Sequence, residues 1–281
     1  MENFDQILKF IDKLPPLPTI YTKLSHLLRQ SDTTMQMIGN VISEDQVISA
    51  KVLRLVNSGF YGFPKKIGSL DRAVVILGQN EIKSLVLATS MLKIFPRSKL
   101  SQDFDINKLW EHSISCAVAS KILADAAFVN NPEAVFASGL LHDIGKLVLI
   151  MYSPEEFLKV INEVQEVGCS FIEAEQKILG FNHTQIGKAL AEKWDFPPEV
   201  VDMIVYHHYP ELSGNISKEI AAIHLGNILS IALSLGSSGE KRVPMLNKKA
   251  WGTLDLKLSQ FEPIMVKIEK VSEESIGILK A

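Results

Sequence analysis

The chain has 281 residues, of which 47% are apolar and 22% charged, with a net charge of −3. Those values suit a globular protein with a substantial core and exclude a disordered, collagenous or disulfide-stapled one. Cys116 and Cys169 lack metal or redox spacing and read as free thiols of a reducing cytosol, and neither a signal peptide nor a membrane span is expected.

In chain order the sequence reads as helix after helix, with no sustained alternation and no hairpin dipeptides. Leu14-Pro15-Pro16-Leu17-Pro18 is a stiff, extended stretch that no helix crosses. Ser43-Glu44-Asp45-Gln46 reads as a capping box, followed by Val47, Ile48, Val52, Leu53 and Val56 at helical spacing. That helix stops at Asn57-Ser58-Gly59, before an aromatic loop, Phe60-Tyr61-Gly62-Phe63-Pro64. A short helix from Asp71 to Leu77, a Gly78 terminator and a helix from Glu81 to Phe95, closed by Pro96, complete the first part.

The polar stretch Arg97–Asp105 is the expected junction. Beyond it, helices are expected over 106–127, 132–151, 154–167, 170–179, 183–195, 198–208 and 218–235. One or two more are expected in 246–281. The expected organisation is a helical subdomain over 1–100, a helical core over 101–240 and a closing segment, 241–281, packing back. Residues 1–100 carry 13 Lys and Arg against 8 Asp and Glu, and the remainder 16 against 24. The basic bias of the first part lacks the dense clustering of a nucleic-acid binder, so Lys51, Arg54, Lys65, Lys66, Arg72 and Lys83 read as a solvated face.

The most informative stretch is Gly139-Leu140-Leu141-His142-Asp143-Ile144-Gly145-Lys146. It sets an imidazole and a carboxylate side by side in an apolar run, where burying either without a partner costs several kcal/mol, roughly 2–7 for an unpaired polar group. A shared metal ion or a bound phosphate would resolve that cost. On one helix His142 and Asp143 would lie about 100° apart and lean toward one centre. Lys146 would neutralise Asp143 or hold a phosphate oxygen.

Candidate co-ligands lie in other helical segments. His112 follows Leu109 and Trp110. Asn182 reads as an N-cap with Gln185 three residues on, putting His183 in a first turn, where the positive helix end favours a neutral, ligating ring. His208 shares a stripe with Val201, Ile204 and Val205, and His207 stands beside it. His224 and Asn227 interrupt the apolar face of Ile220 and Ile231, and His224 is expected to bond a backbone carbonyl rather than a metal. Imidazole and carboxylate groups on facing helices suit a borderline divalent metal such as Fe, Mn, Zn or Ni, which in a catalytic site would activate water for attack on phosphorus.

The HDIGK run and its surroundings resemble the HD superfamily of metal-dependent phosphohydrolases, and in particular its HDOD branch of bacterial signalling proteins. The likeness covers nearly the whole chain. It includes Leu14–Pro18, Val52-Leu53-Arg54-Leu55-Val56-Asn57-Ser58, the aromatic loop, Ala73–Leu77 with Gly78, Trp110-Glu111-His112-Ser113, Asn182-His183, His207-His208 and His224-Leu225. The resemblance implies an all-α fold with an HD-like core and an N-terminal helical subdomain. It implies mononuclear metal ligands at His112, His142, Asp143 and position 227. The binuclear HD-GYP relatives that hydrolyse cyclic di-GMP also use histidines matching His183, His207 and His208.

Three departures from the superfamily pattern bear on activity. Asn227 stands where the motif has Asp. Tyr209-Pro210-Glu211 follows His207-His208 without the Gly-Tyr-Pro signature. Lys108 stands one turn before His112, where some relatives carry a ligating Glu, and a cation there would repel a second metal. The resulting expectation is a cytosolic, HDOD-type regulatory module with a degenerate metal pocket and a protein partner in a signalling pathway. The alternative is an active metal-dependent phosphohydrolase acting on a nucleotide or phosphodiester. Its catalytic groups would be Asp143 and Lys146, and its metal ligands His112, His142, Asp143, His183, His207, His208 and Asn227. Neither nucleic acid nor membrane is expected as a partner.

Overall fold

The computed structural model describes residues 2–91, 93–95, 100–101 and 104–280. Among these the regular structure is helical, with no strand. Contacts divide the chain into two compact units. One comprises Pro15–Pro96 with Lys270–Ala281, the other Met1–Leu14 with Arg97–Glu269. Chain order alone groups 1–100 together. In the structure the first helix belongs instead with the larger unit and the chain's last residues with the smaller. Of the expected junction, residues 97–99 and 102–103 lie outside the described residues, as does Pro96.

The helices in chain order are α1 (Glu2–Lys13), α2 (Thr19–Leu27), α3 (Met35–Ser43), α4 (Gln46–Val56), α5 (Leu70–Leu77) and α6 (Gln79–Met91). They continue with α7 (Ile106–Ala126), α8 (Pro132–Leu141), α9 (Ile144–Tyr152), α10 (Pro154–Val167), α11 (Phe171–Leu179) and α12 (His183–Lys193). The last are α13 (Pro198–Tyr206), α14 (Lys218–Ala232), α15 (Lys248–Leu254) and α16 (Leu258–Lys280), with a short 3₁₀ turn at Pro210–Ser213.

In the smaller unit, α2 packs on α6, α3 on α5 and α4 on α6. The cap of α4 is Asp45, which accepts from the N–H groups of Val47 and Ile48 at 3.0 Å. Ser43 is the last residue of α3, so the expected capping box from Ser43 does not form. Asn57 ends α4 as expected and staples the following loop: its Nδ2 donates to Ile67 O at 3.0 Å and its Oδ1 accepts from Ile67 N–H at 2.7 Å. In that loop Tyr61 and Phe63 stack at 5.9 Å, and the Tyr61 hydroxyl bonds the buried Glu81.

The larger unit is built around α7, whose residues from Leu109 to Ala124 are all buried. A helix buried on every side belongs in a core, and α8 and α14 pack along it. Gly139 permits a close approach of α8 to α7: a Cβ there would lie 2.8 Å from Ala117 Cα. Helix α9 packs on α12, and α13 bridges α12 and α8. Pro132–Tyr152 is long and apolar enough to cross a membrane, but 89% of its apolar window is buried inside the fold.

Candidate metal centre

The expected helix over 132–151 breaks at the two residues that matter most. His142 keeps helical dihedrals at the end of α8 (φ −54°, ψ −37°), while Asp143 opens α9 at φ −99°, ψ 13°. Asp143 occupies an N-cap position but makes no capping hydrogen bond. Its carboxylate is turned instead toward side chains from four other segments.

Two groups of donor atoms, each within 4.8 Å of one another, share Asp143. The first is His112, His142 and Asp143, and the second is Asp143, His183, His207 and His208. All are buried except His208, which is half-buried. The carboxylate oxygens divide between them. Oδ2 lies 3.4 Å from His142 Nε2 and 3.7 Å from His112 Nε2. Oδ1 lies 3.2 Å from His183 Nε2 and 3.9 Å from His207 Nε2. Asn227, on α14, is buried beside His112.

The outer hydrogen bonds of these rings assign their tautomers. Nδ1 of His142 lies 2.7 Å from Gly139 O and Nδ1 of His207 lies 2.8 Å from Ile204 O, so both nitrogens donate. Nδ1 of His183 donates to Glu175 Oε2 at 2.6 Å. Each ring therefore turns a basic Nε2 toward the Asp143 oxygens. Two further contacts set imidazole nitrogens against each other, His112 Nε2 to His142 Nε2 at 3.3 Å and His183 Nε2 to His208 Nε2 at 3.1 Å. Asp143 Oδ1 and His207 Nε2 are buried without a hydrogen-bond partner among the described residues. Lone pairs converging in a dry interior are costly unless a proton or cation sits among them. Nδ1-bonded imidazoles around a carboxylate are a donor set that suits a divalent metal.

The electrostatics agree. Burial pushes His183, His207 and His208 well below the ordinary histidine range, and His112 down to about 3. These rings are neutral and able to ligate. Burial works against the Asp143 carboxylate, but Lys146 and then His142 hold it well below the usual range. Burial alone would lower His142 as well. Cys116 and Asp143 beside it instead raise it to about 10, a proton that a bound cation would replace.

Lys146 is only 1% exposed and is fully engaged. It donates to Asp143 Oδ2 at 2.9 Å and to the Ser238 carbonyl at 3.0 Å, and its ammonium lies 4.4 Å from the centre of the Phe171 ring. The segment from Leu235 to Glu240 thus closes over the cluster. Ser237 N–H donates to Lys108 O at 2.8 Å and Glu240 accepts from Phe171 N–H at 3.0 Å. On this segment lies a cavity of about 300 Å³ that reaches His112 alone among the cluster residues.

Two expectations are revised and one holds. The Lys108 ammonium pairs with Glu111 at 2.8 Å and its side chain is 55% exposed, so it does not point a charge into the cluster. His142 and Asp143 lean toward one centre, but across a helix break rather than along one helix. His224 is a structural bridge, as expected: its Nδ1 donates to His207 O at 2.8 Å and its Nε2 accepts from Asn247 N–H at 3.0 Å.

The sequence reading missed Glu175 and the Ser238 carbonyl. Glu175 falls three and four residues after Ile172 and Phe171, an acid on an apolar stripe, and that position is the signal that could have found it. A backbone carbonyl leaves no such signal.

The family profile described as HDOD domain matches residues 14–210. A candidate phosphohydrolase from Shewanella amazonensis SB2B shares 25% identity with a TM-score of 0.76, covering 97% of each chain. An HDOD domain protein of unknown function from Geobacter sulfurreducens shares 25% identity with a TM-score of 0.75, covering 96% of this chain and 97% of that one. An uncharacterised protein of Treponema pallidum (strain Nichols) is 26% identical over 202 residues, which is 70% of this chain but only 38% of that protein. The chain therefore spans well under half the length of that relative.

Proposed function

Because the chain belongs to the HDOD family, we propose that it is a regulatory module of a signalling pathway, acting through a protein partner in the cytosol. On this reading its HD pocket holds divalent cations without processing a substrate. The observation that carries it is the state of Lys146. Its donors are taken by Asp143 and by the Ser238 carbonyl, and the remaining face lies over Phe171. That leaves the Lys146 ammonium with no donor directed at a phosphoryl oxygen.

A divalent cation in the pocket would supply Lewis acidity toward a phosphoryl oxygen. Everything else rests on the chain's own groups. His112, His142, Asp143 and Asn227 would hold one cation, and Asp143, His183, His207 and His208 a second. Lys146 balances the Asp143 charge, and the Ser238 carbonyl of the Leu235–Glu240 segment holds the Lys146 ammonium. Free thiols at Cys116 and Cys169 support a reducing compartment.

The test is turnover of p-nitrophenyl phosphate and bis-p-nitrophenyl phosphate by metal-loaded protein. We expect none above that of a His142→Ala/Asp143→Ala double variant. Turnover that the double variant abolishes would instead establish the phosphohydrolase alternative, favoured by the second donor group around Asp143.

Asn227 offers a separate check on the first position. Asn227→Asp adds a carboxylate against His112 and should tighten binding of the first cation by about tenfold, or ~1.4 kcal/mol. Isothermal titration of metal-free protein with Mn(II) would read this, and an unchanged affinity would remove Asn227 from the ligand set.

A further inference from the structure

We propose that Glu175 is the positioning residue of the second cation position, an inference that rests on the metal-holding reading above. Its carboxyl group is fully buried at 0% exposure. A single oxygen, Oε2, accepts both the backbone N–H of His183 at 3.0 Å and the ring Nδ1–H at 2.6 Å. Glu175 therefore fixes both the first residue of α12 and the plane of its imidazole. With the Nδ1 proton committed, Nε2 presents its lone pair 3.2 Å from Asp143 Oδ1 and 3.1 Å from His208 Nε2.

His183 differs in this from its neighbours. Backbone carbonyls of their own helices orient His142 and His207, through Gly139 and Ile204. Those contacts are local and form with the helix. His183 begins a helix and has no carbonyl one turn behind it within that helix, so its ring needs a partner from elsewhere, and α11 supplies it. Among the described residues Glu175 Oε1 makes no hydrogen bond, so the hydrogen bonds of this carboxyl group all go to His183. Outer-sphere partners of this kind set ring orientation and ligand basicity, and their loss typically weakens metal binding 10- to 100-fold.

The experiment is titration of the metal-free chain with Co(II), followed by visible absorption and calorimetry, with far-UV circular dichroism to show that each variant is folded. Glu175→Ala should weaken the second Co(II) by about 10- to 100-fold and shift its absorption, leaving the first unchanged. Glu175→Gln keeps an oxygen acceptor for the Nδ1–H and should recover part of the loss. It also carries the test if the alanine variant does not fold. In a His183→Ala background, Glu175→Ala should cost nothing further, because the two act through one contact.

Wild-type affinity for the second Co(II) in both variants would overturn the proposal, and so would equal weakening of both positions. A wild-type chain that binds one Co(II) and no second would overturn it while leaving the first position intact. A chain that binds none would overturn the metal-holding reading as well.

Discussion

Asp143→Asn should abolish binding at both cation positions at once, whereas His112→Ala should remove only the first and His208→Ala only the second. The reason is the division of the carboxylate, with Oδ2 facing His142 and His112 and Oδ1 facing His183 and His207. An amide keeps the shape but removes the charge that each position shares. The same change strands Lys146, which is buried with Asp143 as its ionic partner at 2.9 Å. Removing one partner of a buried pair costs about 3–5 kcal/mol. The variant should therefore show both metal content near zero by elemental analysis and a lower urea midpoint in the metal-free state. Retention of one full equivalent of metal would show that the two groups do not depend on a common carboxylate.

The second large effect is expected at Gly145, two residues after Asp143. A Cβ there would lie 2.0 Å from the carbonyl oxygen of His183 and 2.9 Å from Gly187 N. Both obstacles are backbone, so no side chain can rotate away. The missing Cβ is what lets α9 and α12 approach, and this approach sets Asp143 against His183. Gly145→Ala should destabilise the chain by about 3 kcal/mol or more, at the upper end of overpacking costs. It should also weaken the second cation position more than the first, since α7 and α8 do not take part in that contact. Urea unfolding and Co(II) titration would read the two effects. A stability within about 0.5 kcal/mol of wild type, the range of ordinary surface changes, would contradict the packing described.

Most helices were legible because their apolar spacing and caps agree. Asn182 with Gln185, and Pro132, Pro154 and Pro198 at helix starts, are found where the sequence puts them. The break at His142-Asp143 was not legible. Apolar periodicity runs through it unbroken from Leu140 and Leu141 to Ile144, Leu147 and Val148, with no proline to mark it. At the break Asp143 leaves helical dihedrals, and its carboxylate is shared by both donor groups.

The histidines were visible as polar residues on apolar stripes, and Glu175 obeys the same rule. Lys108 was misread because its spacing from His112 was weighed, while its three-residue spacing to Glu111 decides where the ammonium goes. The grouping of α1 with the larger unit left no trace in the sequence, because chain order does not say which core an amphipathic helix will cover.

The central claim is that imidazoles distant in sequence, gathered around Asp143, hold divalent metal. Elemental analysis of the full chain, dialysed after exposure to Fe(II), Mn(II), Zn(II) or Ni(II), tests it most directly. One to two equivalents per chain are expected for at least one of these metals, falling to near zero in Asp143→Asn. Negligible content for all four in well-folded wild-type protein would contradict the account.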